Sequence, residues 1–267
     1  GTLELSAANR FQSNVQVNQG TLSLTSPNAI PMFGNLNAVV GSEVVIQPGA
    51  TVALNGNNQE FGNLSGTSVF SPVQNMGGTL DLGTAQLTVG RNTGDRVFSG
   101  QLIGGVGSTL VKVGASRLTL DNWDASRPNS LDTLVISQGT VQTWLNDQSW
   151  ATPGGFASAI PSTTTVILNG GSWEAFAIGD NTSNAQRIFI GNSVIASGGD
   201  SILSTSRPGF AADSNKVVVF NELTIDKQRF LSTGANAIYP RFDGAITLTA
   251  NGRIQTDAPL LLAGTIT

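Results

Sequence analysis

Apolar and polar residues alternate along most of this chain in short runs. In TLDLG (Thr79 to Gly83), Leu80 and Leu82 fall on one side of an extended backbone and Asp81 on the other. That period of two is the mark of a strand with one dry and one wet face. EVVIQ (Glu43 to Gln47), TVALNG (Thr51 to Gly56), QLTVG (Gln86 to Gly90), TTVILNGG (Thr164 to Gly171) and KVVVF (Lys216 to Phe220) read the same way. They are rich in β-branched residues and are bounded by Gly, Asn or Pro, as strands are. Asn55-Gly56, Asn169-Gly170 and Asn251-Gly252 predict positive-φ corners. Helical periodicity is thin. Its best candidate, NDQSWATPGGFASAI (Asn146 to Ile160), is broken by Pro153-Gly154-Gly155 and reads as a loop excursion with one helical turn at most. LSTSRPGFAADSNK (Leu203 to Lys216) reads as a second excursion.

The strands also repeat one another. GTLEL opens the chain, and QGTLSL, GGTLDL, QGTVQT and AGTIT follow. A glycine precedes such strands at Gly20, Gly49, Gly78, Gly107, Gly139 and Gly171, at intervals of 29, 29, 29, 32 and 32 residues. Periods of roughly 20–50 residues mark solenoids and arrays, and a four-stranded propeller blade needs about 40. The expectation is therefore all-β: a single-stranded parallel β-solenoid of roughly ten rungs, continuous over 1–267. A single coil cannot bury its own apolar face, whereas coils paired at ~4.8 Å can. On this reading the glycine recurs because one corner recurs.

Composition narrows the function. Among 267 residues, 39% are hydrophobic, which suffices for a large core, and only 11% are charged. The net charge of −4, with lysine only at Lys112, Lys216 and Lys227, argues against nucleic-acid partners. Cysteine and histidine are both missing, which removes disulfides, thiolate chemistry and the commonest general base and zinc ligand. No apolar run reaches the ~18 residues of a membrane span, so no membrane insertion by this segment is expected. The chain starts at Gly1 without a signal-like segment and reads as a mature chain or a slice of one.

Candidate chemistry is sparse. Asp121 and Asp124 flank Trp123, but glycoside hydrolysis needs two acids held about 5–10 Å apart, and no acidic pair is visible. RPGF (Arg207 to Phe210) and YPRFDG (Tyr239 to Gly244) set an arginine beside aromatics and read as loop arginines covering a ring. The Gly104-Gly105 and Gly198-Gly199 pairs lack the spacing of calcium-binding repeats. GGVGSTLVK (Gly104 to Lys112) lacks a phosphate-loop pattern, and Lys112 reads as an outward strand position. Asn251-Gly252-Arg253 reads as a turn. Trp144 and Trp173 lie in strand-like segments and are expected in the core or stacked from rung to rung. Trp123 and Trp150 are the candidates for contact with a glycan. No catalytic residue, metal site or cofactor is expected.

GSTLVKVGASRLTLDNWDASRPNSLDTLVISQGTVQT (Gly107 to Thr143) resembles the autotransporter-associated β-strand repeat, whose pattern is approximately G-G-L-x-K-x-G-x-G-T-L-x-L, a loop, a strand and G-T-L-x-L. Lys112 and Gly114 match its K-x-G, and Arg117 stands where a glycine is usual. GATVALNGNNQEFGNLSG (Gly49 to Gly66), FSGQLIGG (Phe98 to Gly105) and AITLTANGRIQTDAPLLLAGTIT (Ala245 to Thr267) are similar to other phrases of the same family. The resemblance implies a right-handed parallel β-helix exported to a bacterial surface. The expected function is a structural rod of a fibre, stalk or coat. Its expected partners are other copies or adjacent repeats, with a glycan-binding adhesin as the second reading and a polysaccharide-degrading enzyme as the third. The unmatched phrases at the two ends suggest a window of a longer repetitive protein, or a subunit that stacks end to end.

Overall fold

A computed structural model describes all residues except 36–37, 67–76, 123–125, 147–156, 179–186, 207–215, 227–228, 235–237 and 250. The described secondary structure is all strand, and nearly every strand pairs in parallel with a strand one coil away. Residues paired in parallel lie as close in sequence as Thr2 and Thr21 and as far apart as Thr140 and Ser172. The chain visits three stacks of strands in turn, here faces A, B and C, the arrangement of a parallel β-solenoid.

Face B is the most regular. Its eight strands are Gln59–Phe61, Gln86–Val89, Thr109–Lys112, Thr133–Ile136, Thr165–Asn169, Val194–Gly198, Leu223–Asp226 and Ile246–Thr249. Strict alternation along each strand produces columns across them. Leu87, Leu110, Leu134, Val166, Val194, Leu223 and Ile246 stack inward in register. Beside them run Phe61, Val89, Lys112, Ile136, Leu168, Ala196, Ile225 and Leu248. Apart from Leu248 at the last strand, these residues are buried.

Face C begins with Val15–Val17, Glu43–Ile46 and Asn63–Ser65. It continues through Arg96–Phe98, Arg117–Leu120, Thr140–Asn146, Ser172–Ile178, Ser201–Ser206, Arg229–Gly234 and Arg253–Thr256, with the Gly66 amide bonded to Val97 O at 3.1 Å between the two sets. Face A comprises Thr2–Leu5, Gly20–Leu24, Ala50–Ala53, Thr79–Gly83 and Gln101–Gly104, and later Arg187–Phe189, Lys216–Phe220, Ile238–Phe242 and Leu261–Leu262. Between these two sets of face A, side chains replace strand pairing. Asn129 Oδ1 accepts from the Leu102 amide at 2.7 Å, and Asn129 Nδ2 donates to Ala159 O at 2.7 Å. Asn192 Nδ2 continues the series to Pro161 O at 2.6 Å.

The core changes character along the axis. Leu22, Val52, Leu80 and Leu102 fill the early part of face A. Later coils hold Trp173, Phe220, Phe230 and Phe242, with centroids 5.3 Å apart for Trp173–Phe220 and 5.1 Å for Phe220–Phe242. Small inward residues on face C (Thr143, Ala175 and Thr205) accompany these rings. The inward hydroxyls are bonded: Trp173 Nε1 donates to Thr143 Oγ1 at 2.9 Å, and Thr205 Oγ1 donates to Ile238 O at 3.0 Å. Pairing of this kind offsets the cost of placing a hydroxyl in the dry interior, whereas the Ser232 hydroxyl, equally buried on face C, has no partner among the described residues.

The structure revises several expectations. The six spaced glycines do not mark one corner. Gly20, Gly49 and Gly78 open face A, Gly107 precedes face B, and Gly139 and Gly171 precede face C. Coils differ in length, so an even spacing drifts from corner to corner. Most of that variation lies between face C and the next stretch of face A: Phe98 is followed almost at once by Gln101, whereas Ser206 precedes Lys216 by a longer segment. Asn55 and Gly56 both take positive φ, at 51° and 75°; at Asn169-Gly170 only the glycine does, and Gly252 does not. The Asn146 to Ile160 excursion is confirmed at its base, where Leu145 and Asn146 pair antiparallel with Ser158 and Ala157; a helical turn within it would lie outside the described residues. An unexpected hairpin, Met32–Asn35 with Ala38–Gly41, interrupts an early coil.

Candidate functional site

The outer side of face C collects most of the polar and aromatic groups that could meet a ligand. Alternation points Val141, Thr143 and Leu145 inward and Gln142 and Trp144 outward. One coil on, Glu174 and Phe176 occupy the matching outward places. Thr119 Oγ1 donates to Gln142 Oε1 at 3.2 Å, Gln142 Nε2 donates to Glu174 Oε2 at 2.9 Å, and Ser206 Oγ donates to Glu174 Oε1 at 2.5 Å. Trp144 Nε1 also donates to Gln142 Oε1, at 3.0 Å. The Trp144 and Phe176 rings lie 5.6 Å apart with planes inclined at 36°. Arg117 Nη2 stands 3.7 Å from Glu174 Oε2. The result is an acid and an amide fixed across four coils beside an aromatic pair, a combination that hydrogen-bonds hydroxyls and packs an apolar ring face.

Trp173 is in the core, and Trp144 is stacked on the next rung, as their strand positions predict. Trp123, Asp124, Trp150 and Arg207 to Phe210 lie outside the described residues. The segments carrying Trp123 and Trp150 leave Arg117–Leu120 and Thr140–Asn146, which are neighbours on face C. Burial pushes the Asp121 carboxyl above its ordinary range against the opposing pull of Ser99, and its Oδ1 has no hydrogen-bond partner. One raised carboxyl supplies a proton, but a glycosidase also needs its second acid. Among the described residues, no three His, Cys, Asp or Glu side chains converge as metal ligands.

Two readings of single residues are corrected. Arg241 is a strand residue paired with Asp243 and not a loop arginine over a ring; its neighbour Phe242 points into the core. Lys112 is not outward. It is 1% exposed and sits in the aliphatic column between Val89 and Ile136. Its Nζ donates to Val113 O at 2.6 Å, Gly114 O at 2.7 Å and Gln138 O at 3.4 Å. Its stem lies where a side chain on Gly90 would stand: a Cβ there would come within 3.0 Å of Lys112 Cδ and 2.4 Å of Val113 O. Burial lowers the Lys112 pKa from 10.5 to about 8, opposed by the charge of Asp95. The lysine is an internal tie for the corner between faces B and C. The Gln142–Glu174 chain was not singled out from sequence, because its members come together only when strands one coil apart are set in register.

No protein-family model, curated protein or solved structure matches this chain.

Proposed function

We propose that the chain is a structural rod of an extracellular bacterial surface, a β-solenoid segment of a fibre, stalk or coat. The observation that carries this reading is the pair of inward columns on face B, which run unbroken through successive coils and make the fold a scaffold of length. Cross-coil ion pairs add to it, among them Arg96 bidentate on Glu43 at 2.7 and 3.0 Å. The resemblance to autotransporter repeats supplies the surface location and the right hand of the coil, and the repeat period supplies a count of roughly ten coils. At the two ends, the outer edges of Thr2–Leu5 and Leu261–Leu262 have no strand partner among the described residues. Leu3 is 65% exposed and Ile266 58% exposed there. At the first coil, a hollow of about 590 Å³ is lined in part by Leu3, Val15, Val17 and Leu22. A further coil, from the same polypeptide or from a second copy, would complete either edge.

Electron microscopy of surface material labelled with antibody to this chain tests the reading. The expected result is labelled filaments or a lattice whose diffraction carries a ~4.8 Å axial repeat. Label confined to soluble, compact particles would refute it. The second reading, a glycan-binding adhesin, rests on Trp144 and Phe176 beside Glu174. Glycan-array binding that Trp144→Ala or Trp150→Ala abolishes would favour it.

A further inference from the structure

Asn-Gly occurs at three corners of the coil. Asn55-Gly56 leads from face A to face B, and Asn169-Gly170 and Asn251-Gly252 lead from face B to face C. Asparagine before glycine carries its own chemistry, because a glycine has no side chain to keep its backbone nitrogen away from the preceding side-chain amide. All three asparagines are exposed, so access to solvent does not separate them. What separates them is how firmly each amide is held.

Asn55 is tied down. Its Nδ2 donates to Ser23 Oγ at 2.9 Å, Ala53 O at 3.3 Å and Leu24 O at 3.4 Å. Its φ of 51° is left-handed, a conformation that turns the Gly56 nitrogen to the side opposite the side chain. Asn169 is packed. It is a strand residue in register with Gly198, and its Oδ1 fills the space that a side chain on Gly198 would take. The backbone after it is also held, with the Gly171 amide on Ile136 O at 3.1 Å and the Ser172 amide on Gly139 O at 2.8 Å. Asn251 has neither restraint. Its side chain has no hydrogen-bond partner among the described residues, and its φ is not left-handed. The Gly252 amide closes a turn onto Thr249 O at 3.0 Å. The strand that follows, Arg253–Thr256, pairs on one side only among the described residues, so this turn opens more readily than a corner held from both sides.

We infer that Asn251-Gly252 is a site of spontaneous deamidation in the folded protein, that the fold protects the other two Asn-Gly pairs, and that the isoaspartate formed at Asn251 loosens the Arg253–Thr256 strand. The Gly252 nitrogen attacks Asn251 Cγ. An N–Cγ bond forms, the Cγ–Nδ2 bond breaks, and Nδ2 leaves as ammonia with the proton that the Gly252 nitrogen gives up. Water then opens the cyclic imide. Opening at Cγ yields aspartate. Opening at the main-chain carbonyl of Asn251 yields isoaspartate, in which the backbone runs through the former side chain and gains a methylene. The corner has little slack for it: even a Cβ on Gly252 would come within 2.8 Å of Ile225 O and 3.1 Å of Ile225 Cγ2. The strain falls on the register of Arg253 to Thr256 against Arg229 to Ser232. This goes beyond the rod reading and is independent of it.

The test incubates the full folded chain in mildly alkaline buffer and follows the three Asn-Gly peptides by mass spectrometry, with isoaspartyl methyltransferase labelling to locate isoaspartate. A urea-unfolded sample is the reference in which all three pairs react. The folded chain is expected to convert Asn251 to aspartate and isoaspartate while Asn55 and Asn169 stay amides. Aged protein is expected to lose amide-exchange protection over Arg253 to Thr256 and to keep it at Leu110 and Leu134. Asn251→Gln, whose longer side chain closes the imide ring far more slowly, is expected to stay unlabelled at that corner and to keep protection on ageing. The inference is overturned if Asn55 or Asn169 converts as fast as Asn251 in the folded chain, or if Asn251 reacts only in urea. Isoaspartate at Asn251 with an unchanged exchange pattern would overturn the loosening of the strand.

Discussion

Lys112 ties down the turn between faces B and C. Three backbone carbonyl oxygens receive its amine, and Gly90 makes room for its stem, while Gly114, at φ 70°, carries the chain around the corner. Lys112→Ala leaves a void and unpaired carbonyls, and is expected to cost about 2–4 kcal/mol in urea unfolding. The wild-type protein also carries a pH signature. Its folded pKa of about 8 lies below the ordinary 10.5, so across that window the unfolded chain holds a proton that the folded chain has released. Stability attributable to this group is therefore flat below pH 8 and rises with pH from about 8 to 10.5. Urea midpoints measured across that range check it, and the rise should vanish in Lys112→Met. The inward direction was legible from parity, since Lys112 shares a side with Leu110 two residues earlier. What was not legible was the reason a charge is tolerated there, because Gln138 belongs to the next coil.

At the level of elements, single strands were legible and their connections were not. Thr79–Gly83 and Lys216–Phe220 match their predicted limits, because alternation and bounding turns are local properties. The glycine series misled because glycine serves all three corners. The Met32–Asn35 hairpin was missed because its partner lies only a few residues on, whereas every repeat-based expectation looked one coil away. Asn129 shows how a coil survives without a strand. Its side chain stands in for backbone on both sides, toward Leu102 and Ala159. Asn129→Ala orphans both groups and is expected to destabilise by about 2–4 kcal/mol. Hydrogen exchange should show the Leu102 amide losing protection while that of Leu134, on face B, changes only with global stability.

Across the whole molecule, each coil leans mainly on its two neighbours, so stability is a sum of local and nearest-neighbour terms. The middle strands of face B have a neighbour on both sides; Thr2–Leu5 and Leu261–Leu262 each have one. Native-state hydrogen exchange should therefore be slowest at Leu110, Leu134 and Val166 and should quicken toward both ends. Uniform protection along the axis would contradict this quasi-linear picture. The face C polar chain of Thr119, Gln142, Glu174 and Ser206 also belongs to this scale, since its members are far apart in sequence and adjacent only through register.

The uneven connections from face C to face A have one more consequence. Because the differences in coil length gather at that corner, foreign residues grafted there leave every ladder undisturbed. Peptides inserted after Leu120, Asn146 and Ile178 would issue from adjacent levels of one edge. A multivalent receptor would then meet them at high effective concentration, which makes the solenoid a ready frame for displaying epitopes in a row.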